Sequence, residues 1–147
     1  EAEARNRYEQ AVTSSIKKWA AYGESSVLGA DTIKYYVPQD TINHFLNSPL
    51  ASWEQSSDHL ALILNQKYIA TFWVGFESWC DYRRTGYPKL VIGAGTDPND
   101  HVLPTRMAYS NVTVATNSEH VQQALQRMGG VNDMKLPVWW SRQAVGK

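Results

Sequence analysis

The stretch from Leu60 to Arg84 constrains the chain most. It holds no proline and a single glycine, Gly75, and its apolar residues fall on nearly every helical face. Such a pattern predicts one continuous central helix buried on several sides. Asn65, Gln66, Lys67, Glu77, Asp81, Arg83 and Arg84 interrupt the apolar run, so no window approaches the ~20 apolar residues of a membrane span. Thr85, Gly86, Tyr87 and Pro88 then supply a stop: glycine takes the left-handed conformation after a helix end, and proline cannot continue the helix.

A chain of 147 residues with 43% hydrophobic and 19% charged residues predicts a single packed, ordered unit. Fourteen basic residues balance fourteen acidic ones, which removes the long-range field that nucleic acid or anionic lipid would need. Six Trp and eight Tyr are the outlier. At that density aromatics either build packing seams or present flat faces to ligands such as sugar rings, and composition does not choose between the two. Cys80 is the sole cysteine, which excludes an intrachain disulfide and any multi-cysteine metal site. Its place in the central helix predicts an inert core thiol. The opening Glu1, Ala2, Glu3, Ala4 carries no signal peptide or lipidation cysteine and looks like a helix already under way, which suggests a piece of something longer.

Four stretches organise the chain. Over residues 1–22, Ala4, Tyr8, Ala11 or Val12, Ser15 or Ile16, Trp19 and Tyr22 recur at threes and fours, predicting one amphipathic helix ended by Gly23. Residues 23–58 are rich in Gly, Pro, Ser, Asp and Asn, hence in loops. Within them residues 32–36 suit a short helix or strand, residues 40–47 suit one or two helical turns, and His44 reads as a surface or hydrogen-bonded histidine. Ser56, Ser57 and Asp58 offer caps for the central helix of residues 59–88. Residues 89–147 hold loops, a helix and a terminal Trp segment. There, residues 89–95 suit a strand or an extended loop, and Asp97, Asn99 and Asp100 read as a turn rather than a calcium loop. Asn111 and Thr113 match a glycosylation acceptor. A helix over residues 119–128 is capped around Asn117 and stopped by Gly129 and Gly130.

No nucleophile elbow, phosphate loop or metal-binding histidine pair is present in the sequence, and no cofactor or metal is expected. Glu77 and Asp81, four apart, resemble a two-carboxylate site. Arg83 and Arg84 follow at once, so charge neutralisation at the helix end is the simpler account. Trp79 and Arg83, also four apart, are spaced for guanidinium on indole.

At these residues the chain resembles a known family. Gln66 and Lys67, then Glu77, Trp79, Asp81, Arg83, Arg84, Gly86 and Pro88, then Pro104, Arg106 and Tyr109, and finally Trp139 and Trp140 are similar to the C-terminal portion of SusD/RagB-like outer-membrane nutrient-binding lipoproteins. Tyr8 through Trp19 resembles the helix that precedes the central one. The resemblance implies a mainly α fold, with tetratricopeptide-like helix hairpins and long irregular loops. It implies a non-catalytic, lipid-anchored protein on the outward face of the bacterial outer membrane, which binds an oligosaccharide or peptide nutrient for a TonB-dependent SusC-like transporter in polysaccharide utilisation. It assigns no ligand-binding residue, because glycan-contacting aromatics vary among members, and it makes the motif residues structural. Ser110 stands where the family has Pro, and the Glu expected soon after is missing, which leaves the local turn open. The alternative is a tetratricopeptide-like protein-interaction adaptor. That reading predicts repeats of about 34 residues, and no second copy is visible. A glycosidase would require Glu77 and Asp81 as a water-accessible pair.

Overall fold

The computed structural model describes residues 1–25, 36–93 and 102–141, the side chains of residues 23–25 excepted. Six α-helices follow in order: α1 Ala2–Ser25, α2 Gln39–Leu46, α3 His59–Ala70, α4 Glu77–Thr85, α5 Asn111–Thr116 and α6 Ser118–Arg127. No strand occurs among the described residues, and residues 89–93 are without regular structure. None of these helices is long and apolar enough to cross a membrane. Where a single packed unit was expected, the chain divides into two compact units, Glu1–Ser78 and Trp79–Lys147. Most of residues 32–36 and all of residues 97–100 lie outside the described residues.

In the first unit α1 packs on α2 and α3. It runs unbroken through Arg5, Asn6 and Arg7 and continues past Gly23 to Ser25, since one glycine weakens a helix without obliging it to end. Tyr8 and Val12, one turn apart, bury against Trp53 and Leu62, with Ile16, Phe45 and Leu46 around them. The Tyr8 hydroxyl donates to the Ala51 carbonyl at 2.9 Å. His59 stacks on Trp53 at 3.9 Å between ring centres, and its Nε2 lies 3.1 Å from the Trp53 carbonyl. Asp58 caps α3 as its residue type predicts, accepting from the Ala61 amide at 2.9 Å. Arg5 ties Glu9 to Glu54 at the edge of this core. His44 is on the surface of α2.

Burial, with the Glu9 carboxylate second, pushes the Tyr8 phenol from 10.0 up to about 12. The folded state therefore holds its proton more tightly than the unfolded state does. The stability this supplies is complete below the ordinary value near 10.0 and is lost as pH rises through about 12. The melting temperature should fall across that window. Tyr8→Phe should remove this part of the alkaline fall and lower stability at neutral pH by about 1 kcal/mol, the worth of one hydrogen bond; thermal melts across pH test both.

The expected continuous helix over residues 60–84 is broken. α3 ends at Ala70, capped by Thr71, whose Oγ1 donates to the Lys67 carbonyl at 2.8 Å. Residues 71–76 form a turn before α4. Within it Trp73 has φ 67° and Gly75 φ 43°, neither compatible with a right-handed helix. The run Thr71, Phe72, Trp73, Val74, Gly75 is β-branched, aromatic and glycine throughout, and each such residue gives up helix propensity. Nor is the stretch buried on several sides: Leu60, Ile63, Ile69, Phe72, Trp73 and Phe76 are all exposed. Cys80 is exposed as well, so it is not a core thiol.

In the second unit α5 and α6 pair. Ser110, the residue in place of the expected proline, caps α5 by accepting from the Thr113 amide at 3.2 Å. Asn111 and Thr113 lie in the first turn of that helix. Asn117 occupies the N-cap position of α6 without a side-chain bond to it. Val121 and Leu125 are buried one turn apart, and α6 ends where the Gly130 amide returns to the Leu125 carbonyl at 2.8 Å.

Candidate functional site

α4 presents the basic and aromatic residues of the motif to the rest of the second unit. The Arg83 guanidinium lies 4.0 Å from the Trp79 ring centre and 4.6 Å from that of Trp140. Spacing predicts the first contact; the second joins residues 57 positions apart, which only the fold can show. The Trp79 indole N–H donates to the Pro104 carbonyl at 2.6 Å. Asp81, buried, pairs with Arg84 at 3.0 Å. Gly86, at φ 76°, closes α4 with its amide 2.7 Å from the Tyr82 carbonyl, and the following Tyr87–Pro88 peptide is cis. The stop is as expected, because a residue without Cβ enters the left-handed region freely.

The Pro104 segment is itself anchored. Thr105 is fully buried, and its hydroxyl lies 3.0 Å from the carbonyls of both Met134 and Leu136. Arg106 is buried, donates to the Asp133 carbonyl at 3.1 Å and stacks over Tyr109 at 5.3 Å. Asn132 brackets Tyr109, accepting from its amide and donating to its carbonyl, each at 2.9 Å. These groups are committed to holding one segment against another. Trp139 is 83% exposed and Trp140 40%, so the two adjacent indoles do not share one environment.

Gln66, Lys67 and Glu77 belong to the first unit. Gln66 reaches the Leu50 carbonyl at 3.2 Å, and Lys67 pairs with Glu77 at 3.5 Å. The two carboxylates that resembled an acid pair are thus each engaged with a cation, and Asp81 is largely withdrawn from solvent. Among the described residues no group of three or more His, Cys, Asp or Glu could hold a metal ion.

The first unit offers two other surfaces. One is an aromatic ridge. Trp19 and Tyr22 at the end of α1 lie 5.6 Å apart, Phe72 meets Trp19 edge-on at 6.3 Å, and Trp73 meets Phe72 at 5.0 Å. Tyr22, Phe72 and Trp73 are 58%, 58% and 83% exposed. Lys18 reaches over both Trp19 and Tyr22. The other surface, which meets the ridge at the half-buried Trp19, is a groove of about 680 Å³ between α1 and α3, lined mainly by apolar groups including Ala11, Ile16, Ile63 and Ile69.

Comparison with protein families matches residues 1–141 to SusD-like, described as Susd and RagB outer membrane lipoprotein. The chain belongs to the SusD-like family. Among solved structures, a chitin-binding protein is 31% identical with a TM-score of 0.66, over 94% of this chain and 28% of that one. Two SusD homologues from Bacteroides fragilis are 25% and 28% identical, with TM-scores of 0.71 and 0.70, over 94% and 95% of this chain and 29% and 30% of theirs. The chain therefore spans less than a third of the length of these structures. Comparison with curated proteins finds no match.

The helical SusD-like fold agrees with the mainly α, tetratricopeptide-like architecture that the resemblance implied. Of the SusD-like motif residues in the second unit, Trp79, Arg83, Arg106, Tyr109 and Trp140 make ring or backbone contacts there and Asp81 pairs with Arg84, while Trp139 is exposed. The ridge is what sequence reasoning missed. The apolar, proline-free run puts Phe72 and Trp73 inside a buried helix. The usable signal was Gly75 following a run of poor helix formers.

Proposed function

We propose that this SusD-like chain is the C-terminal part of a non-catalytic protein that captures a glycan at the outward face of the outer membrane and delivers it to a TonB-dependent SusC-like transporter. The full-length protein is held there by a lipid. The observation that carries this reading is the aromatic ridge of Trp19, Tyr22, Phe72 and Trp73. Sugar rings expose apolar C–H faces that stack on aromatic faces, while their hydroxyls stay hydrated or hydrogen-bonded, so an exposed ridge suits them. The groove does not, because its nearly unbroken apolar lining would strip hydroxyls of water without replacing their hydrogen bonds. A 31% identical structure that carries the name chitin-binding protein supports a glycan over a peptide. No bond chemistry is proposed, since Asp81 is buried against Arg84 and does not form a water-accessible pair with Glu77.

Phe72→Ala in the protein should weaken binding of an oligosaccharide such as chitohexaose on the order of tenfold, the equivalent of one good aromatic contact. The melting temperature should hardly change, since the ring is mostly exposed. Calorimetric titration of both proteins gives the answer, and unchanged affinity would remove the ridge from the site.

The groove favours a second reading, an adaptor that seats an apolar helix between α1 and α3. α3 spreads its apolar residues over most of its faces yet leaves Ile63 and Ile69 exposed, and a helix of that kind is normally covered. An adaptor would bind no oligosaccharide, and Phe72→Ala would be silent in it.

A further inference from the structure

We infer that Trp73 is a ligand-contacting residue kept against its own backbone preference, so that affinity and stability oppose each other at this one position. The inference rests on the glycan-binding reading. Trp73 has φ 67°, a region where the Cβ of an L-residue crowds the following carbonyl and where bulky side chains are outliers. Such strain is normally offset by burial of the side chain. Here it is not, because the indole is 83% exposed and its ring contact among the described residues is with Phe72, at 5.0 Å and 63°.

The neighbouring positions show that the turn itself does not demand tryptophan. Thr71 already closes α3 through its hydroxyl, and the Val74 amide bonds the Thr71 carbonyl at 2.8 Å. These contacts use backbone and Thr71 atoms alone, so glycine at position 73 would satisfy them with less strain. Residues held in sparsely populated backbone regions cluster at ligand and active sites. The indole also has the largest flat face of any side chain, and the Phe72 ring meets it steeply inclined, at 63°. A pyranose ring, with its apolar C–H face, is the ligand chemistry that such a surface takes.

The test compares wild type with Trp73→Gly, Trp73→Phe and Phe72→Ala, by thermal melts and by titration with chitohexaose, cellohexaose and maltohexaose. Trp73→Gly should melt no lower than wild type and lose on the order of tenfold in affinity for whichever oligosaccharide wild type binds. Trp73→Phe should keep most of that affinity, since it keeps a ring. If Trp73→Gly melts well below wild type, the indole is a packing residue and the inference is wrong. If Trp73→Gly binds as wild type while Phe72→Ala does not, the inference alone fails. If wild type binds none of the three sugars, the glycan-binding reading fails and takes the inference with it.

Discussion

Replacing Trp53 with alanine is expected to destabilise the first unit by about 3–5 kcal/mol, the cost of truncating a buried tryptophan. The indole is 8% exposed. It stacks on His59 at 3.9 Å and meets Tyr8 at 5.6 Å, so its loss leaves a void bordered by residues of α1 and α3. Two contacts then fail together, because His59 loses its stacking partner and Tyr8 loses the ring that orients its hydroxyl toward Ala51. Trp53→Phe, which keeps an aromatic surface, should cost much less. Denaturant unfolding followed by far-ultraviolet circular dichroism measures both, and a Trp53→Ala protein as stable as wild type would contradict the packing described here.

Trp79→Ala should be the largest single loss in the second unit, on the order of 2–4 kcal/mol, toward the low end for a tryptophan because the ring is only partly buried. Three things go at once: the platform under the Arg83 guanidinium, the N–H that donates to the Pro104 carbonyl, and apolar area. Trp79→Phe separates them, since it retains a ring for Arg83 and removes the donor. It should recover part of the stability while leaving the Pro104 carbonyl without that bond. Arg83→Lys should also destabilise, because a lysine ammonium does not reproduce the planar stacking of a guanidinium on two indoles. If Trp79→Ala melted with wild type, the stack would be a surface ornament and the scaffold role of the motif would be wrong.

Local chemistry was legible in the sequence where one residue type does one job. The Asp58 cap, the left-handed Gly86 stop, the Asp81 and Arg84 pair and the Trp79 and Arg83 stack are all set by side chains within four positions of one another. The α1 helix followed from its apolar spacing. Contacts across sequence were not legible: Trp140 on Arg83, Trp79 on Pro104 and Asn132 on Tyr109 depend on how segments return to one another. Ser110, which left the local turn open in the sequence, caps α5. The break at residues 71–76 is not legible because apolar residues on nearly every helical face predict burial. The same residues are exposed when the backbone turns left at Trp73, and the candidate ligand surface appears only then.

The most direct measurement is calorimetric titration of the protein with chitohexaose, cellohexaose and maltohexaose, followed by chromatography of the sugar after prolonged incubation. Saturable binding of at least one of them is expected, with the sugar recovered at its original length. Binding by none of them, or recovery of shortened chains, would contradict the proposed function.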